Sequence, residues 1–116
     1  MRKNFEDVLD RLSRVAGVRG AMLVDAQAGV TIVSEMAEGV NGAAVAAMAA
    51  SLVKRAQKAT QSAKFGGLKT IQLEGADGHV IVANHGDIVA VAVTRADAQL
   101  GLVRVEIRNA VEALAS

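Results

Sequence analysis

Apolar positions recur at helical spacing from Asn4 to Ala16: Phe5, Val8, Leu9, Leu12, Val15 and Ala16 share one face, with charges between them. The pattern predicts an amphipathic helix with Asn4 as its N-cap, Asp7 near the positive end of its dipole, and Gly17 as its stop. Two apolar runs follow, Gly20 to Asp25 and Val30 to Ser34. The segment between them enters on Asp25 and leaves on Gly29, which predicts a β-hairpin. The first run is apolar on both faces, so it belongs inside a sheet covered on both sides.

Gly39, Asn41 and Gly42 break this pattern, and a long helix is predicted from Asn41 to Ala63. Val45, Met48, Ala49, Leu52, Ala56, Ala59 and Ala63 form its apolar stripe. The opposite side carries Ala43, Ala47, Ala50, Lys54, Lys58 and Gln61. Two readings of that alanine-rich back stand: alanine is simply the best helix former, or a second helix comes close there. Gly66-Gly67 is the predicted end of this helix. Three strand candidates follow, Leu68–Glu74, His79–Asn84 and Ile88–Thr94, joined by Gly75-Ala76-Asp77-Gly78 and Asn84-His85-Gly86-Asp87. The last is apolar on both faces and is predicted to be central.

The strand Leu68–Glu74 differs, because Ile71 and Leu73 alternate with Thr70, Gln72 and Glu74. One wet face and a lysine near one end, Lys69, give the profile of an edge strand, which is protected or pairs with another chain. A closing helix from Ala98 to Ala115 buries Leu100, Val103, Ile107, Ala110, Val111 and Leu114. Leu102 and Val105 fall outside this stripe and predict a second contact, against the first helix. The order α-β-β-α-β-β-β-α predicts one α+β domain, a five-stranded antiparallel sheet with helices on both faces.

Composition sharpens this picture. The chain has 116 residues, of which 52% are hydrophobic but only 2% aromatic, and it contains no Trp, Tyr, Cys or Pro. Ala, Val, Leu, Ile and Met must fill the core, and each small side chain removes little area from water, so a partner's contribution to stability is expected. With 13 basic and 12 acidic residues the net charge is +1, too small to draw a polyanion, and ring-poor surfaces cannot stack bases. Nucleic acid is therefore excluded as a partner. The basic start Met1-Arg2-Lys3 has no apolar stretch behind it and is unlike a signal peptide; the longest apolar run, Ile88 to Val93, is far short of a membrane span. A cytoplasmic protein without a membrane partner is expected.

The sequence shows no chemistry of its own. No glycine loop leads into a helix with Lys and Ser/Thr behind it, so a phosphate cradle for a nucleotide is not expected. His79 and His85 lie at opposite ends of one predicted strand, roughly 20 Å apart at ~3.3 Å per residue, and cannot share a metal ion. They read as turn histidines in solvent. No nucleophile sits beside a base. No catalytic residue, cofactor or metal is predicted. The cluster Lys54, Arg55 and Lys58 reads either as a solvated helix face or as a dock for an acidic protein surface.

The segments Val18-Arg19-Gly20-Ala21-Met22-Leu23-Val24-Asp25 with Gly29-Val30, Gly67 to Gly75, Asp77-Gly78-His79-Val80-Ile81-Val82, and Leu100-Gly101-Leu102-Val103-Arg104 follow one another over Phe5 to Ala115. In this order they resemble the roadblock family of dynein light chains and their bacterial and archaeal relatives. The resemblance implies a roadblock/profilin-like fold and a homodimer or heterodimer whose long second helices lie side by side and whose third strands pair edge to edge. On this chain that places Ala43, Ala46, Ala47, Ala50, Thr70, Ile71, Gln72 and Leu73 at the dimer interface. It also implies a small Ras-like GTPase as partner, which Lys54, Arg55 and Lys58 would meet. A structural adaptor in a motor, polarity or signalling complex is the alternative. A small-ligand sensor is a third, and would need a cavity with convergent polar groups.

Overall fold

A computed structural model describes the backbone of residues 2–115 and the side chains of residues 4–114. The basic start at Met1, Arg2 and Lys3 lies outside the described side chains. The elements run α1 (Arg2–Ser13), β1 (Val18–Asp25), β2 (Val30–Met36), α2 (Gly42–Ser62), β3 (Thr70–Gly75), β4 (Gly78–His85), β5 (Ile88–Arg95) and α3 (Leu100–Ala115). All strand pairings are antiparallel and the sheet order is β2-β1-β5-β4-β3. The two strands that are apolar on both faces, β1 and β5, occupy second and central place, and β3 forms one margin.

Alternation along the strands divides the core in two. Ala21 and Leu23 of β1, Ala90 and Ala92 of β5, and Ile81 and Ala83 of β4 meet Leu9 and Leu12 of α1 and Val103, Ile107 and Val111 of α3. On the other face Met22, Val24, Val89, Val91 and Val82 meet Ala46, Ala49, Ala50 and Val53 of α2. The helices thus cover both faces, and the residue period of two decides which core each strand residue enters.

The helix ends depart from the pattern in instructive ways. The first helix already runs through Arg2 and Lys3, so Asn4 is inside it and is not its cap; both upstream residues are good helix formers and nothing there stops the turn. It ends at Ser13, whose hydroxyl donates to the Leu9 carbonyl at 2.8 Å in place of solvent. Gly17 then takes a φ of +89°, and a Cβ there would stand 2.6 Å from Ala98 Cβ, so glycine is required by conformation and by space. The N-cap of α2 is Asn41, whose Oδ1 accepts from Ala44 N at 3.1 Å. Its C-terminus closes before Gly66-Gly67. Phe65 N donates to Thr60 O at 2.8 Å and Lys64 N to Gln61 O at 3.0 Å, with Lys64 at φ +63°. This is a Schellman closure with lysine in the left-handed position usually given to glycine.

Two further expectations are corrected. Leu102 and Val105 are exposed rather than packed against α1. That helix meets α3 along a flank that includes Glu106, Asn109 and Ala110 instead. His79 is only 6% exposed and is not a solvent turn residue. Its Nε2 stands 3.3 Å from the Ala96 carbonyl, because the lead-in to α3 folds over the start of β4.

Candidate interaction surface

The helix α2 lies over β2, β1 and β5 and leaves the outer part of its face, on β4 and β3, thinly covered. Ile71 pairs with Val82 and Leu73 with Val80 across β3 and β4, so these four side chains form a shelf on the α2 side of the sheet. Leu68 joins it from the lead-in to β3. Leu73 is 38% exposed and Phe65, one of two aromatic residues in the chain, is 82% exposed just beyond the end of α2. Beside the shelf runs the outer edge of β3, which has no neighbouring strand within the chain. An apolar shelf next to an open strand edge is a combination that soluble proteins cover.

The expected site residues fall into three groups. Ala43 and Ala47 are exposed on α2, and Ile71 and Leu73 line the shelf. Thr70 and Gln72 lie on the opposite side of β3, where Gln72 Oε1 accepts from Arg104 Nη1 of α3 at 2.8 Å. Ala46 and Ala50, at 3% and 6% exposure, are buried against the protomer's own sheet. Ala50, expected on the outward side, faces inward: the helix is turned so that Ala46, Ala49, Ala50 and Val53, at i, i+3, i+4 and i+7, meet the strands. Small residues let the helix settle close to the sheet, and the larger Met48 and Leu52 are left half-buried on a flank. Leu68 and Val80 belong to the shelf beyond the expected residues, and Phe65 lies exposed in the link that follows α2.

Lys54, Arg55 and Lys58 are all exposed on α2, and none makes an ion pair among the described residues. Their charges therefore project to solvent without internal compensation. Among the described residues no group of three His, Cys, Asp or Glu side chains could hold a metal ion. No described helix is long and apolar enough to cross a membrane.

A five-stranded antiparallel sheet between helical layers, in the order α-β-β-α-β-β-β-α, is a fold of the roadblock/profilin type. The Roadblock/LC7 domain matches residues 4–94, and the chain belongs to that family. It is 30% identical over 108 residues to uncharacterized protein MJ0714 of Methanocaldococcus jannaschii, covering 93% of this chain and 91% of that one. In structure it resembles Myxococcus xanthus MglB with a TM-score of 0.87 at 24% identity, over 97% of this chain and 86% of MglB. The gliding protein MglB of Thermus thermophilus superposes with a TM-score of 0.84 at 23% identity, over 98% and 87% of the two chains. At these identities the structural likeness is one of fold.

Proposed function

We propose that this protein is a homodimeric, non-catalytic regulator that binds a small Ras-like GTPase in the cytoplasm through α2. The observation that carries the reading is the open β3 edge beside the apolar shelf of Ile71, Leu73 and Val80. A second copy satisfies both at once: its β3 continues the sheet, and its α2 roofs the shelf. The two helices then lie side by side and present Ala43, Ala47, Lys54, Arg55 and Lys58 as one platform. Membership of the Roadblock/LC7 family supports this arrangement, and the uncompensated basic charge suits an acidic partner surface.

Two measurements test the reading. Sedimentation equilibrium gives the mass of the particle; a monomer at high concentration removes the platform. Mixing the dimer with Ras-like GTPases encoded beside it then reads binding and GTP turnover. Complex formation with altered turnover supports regulation, complex formation with unaltered turnover supports the adaptor role, and no complex removes the GTPase partner.

A further inference from the structure

On the other side of the sheet, where β3 begins and β4 ends, a cavity of about 270 Å³ lies against α3. Its walls come from three segments: Lys69 from the lead-in to β3, His85 from the end of β4, and Arg108 with Glu112 from α3, over an apolar patch at Val111. Two cations, Lys69 and Arg108, face a single carboxylate, Glu112. Lys69 makes no ion pair among the described residues, and Arg108 Nη2 stands 3.9 Å from Glu112 Oε1, at the outer limit of an ion pair. One helical turn before Arg108, Arg104 adds another cation, already turned to Gln72 at 2.8 Å. Counting Arg104, three cations surround the one carboxylate of this flank, so the local balance is positive.

We propose that this cavity binds a phosphate group, free or as a monoester. A guanidinium fork and an ammonium point charge approaching from different segments match a tetrahedral dianion, which can accept from both at once. The imidazole of His85 supplies a further donor. The opening is bounded by three chain segments, which suits a compact anion. The site stands apart from the α2 platform, so it holds or fails independently of the GTPase reading.

The test is an amide-shift titration with inorganic phosphate and, separately, glycerol 3-phosphate, each against sodium chloride at matched ionic strength. Saturable shifts confined to residues 84–87 and 107–112 are expected. Lys69→Gln and Arg108→Gln should each weaken binding at least threefold, and Lys54→Gln on the other face should leave it unchanged. All three positions are exposed, so the variants should keep the parent spectrum. Tighter binding of the ester identifies a phosphomonoester as the ligand class, and equal binding identifies free phosphate. Shifts matched by chloride, or unchanged in both cavity variants, overturn the site.

Discussion

Arg104 Nη1 donates to Gln72 Oε1 at 2.8 Å, so the outermost strand is pinned to α3 on the side away from α2. In the proposed dimer this contact bears on which side chains of β3 a second copy would meet. Gln72 is occupied, whereas Ile71 and Leu73 point to the α2 side and are only partly covered. Ile71→Lys is therefore expected to weaken the dimer at least tenfold, about 1.4 kcal/mol, since it places a charge where apolar surface should be covered. Gln72→Ala should change the dimer constant less. Sedimentation equilibrium across a dilution series measures both, and an unchanged mass for Ile71→Lys would place the interface elsewhere.

The alanines of α2 make a paired prediction. Ala50 packs into the sheet with 6% exposure, whereas Ala47, nearly one turn earlier, is exposed. Ala50→Glu should cost several kcal/mol and unfold the protomer, because an unpaired carboxylate would enter an apolar core. Ala47→Glu should leave protomer stability within about 0.5 kcal/mol and lower dimer affinity instead. Thermal melts and sedimentation on the same samples separate the two. Equal loss of stability in both would mean that α2 is turned differently.

How much of this could be read along the chain follows from what each residue contrasts with. The central places of β1 and β5 were legible because both faces of Met22–Val24 and of Val89–Val91 are apolar. The margin was legible because Thr70, Gln72 and Glu74 alternate with Ile71 and Leu73. The rotation of α2 was not, since alanine favours a helix whichever way it faces and so offers no hydrophobic contrast. Larger Met48 and Leu52 drew the stripe to a flank. The burial of His79 depends on Ala96, 17 residues later, and no local pattern encodes that roof. The open shelf required knowing which strands α2 covers, which is a property of packing and not of periodicity.

Lys64 offers a local test of helix termination. At φ +63° its Cβ is crowded by its own backbone, a conformation costing a non-glycine residue about 1 kcal/mol. Its amide is already satisfied by Gln61 O, and its side chain is exposed. Lys64→Gly should thus raise stability by about 0.5–1 kcal/mol, the relief being partly offset by the flexibility of glycine in the unfolded chain. Chemical denaturation measures it, and a loss of stability would show that the lysine side chain is structurally engaged.

The last helix separates core from surface within three residues. Ile107 is fully buried among the strands, and Val105 is exposed. Ile107→Ala should cost about 2–5 kcal/mol from lost burial and the cavity left behind. Val105→Ala should stay within about 0.5 kcal/mol. If Val105→Ala destabilised comparably, an additional partner for that face of α3 would have to be present in the sample.

The partner reading stands on charge, and charge can be reversed without touching the core. Lys54, Arg55 and Lys58 are exposed and make no ion pair among the described residues, so replacing all three by Glu breaks no salt bridge there. Each change also sits at a position where Glu is as good a helix former as Lys. The melting temperature and the dimer constant should therefore stay close to those of the parent. Affinity for an acidic GTPase surface should fall at least tenfold, mainly through slower association, and the parent's affinity should decline with added salt while the variant's does not. A variant that binds as tightly as the parent would show that the partner docks away from α2. The shelf and its dimer would survive that result, but the platform would not.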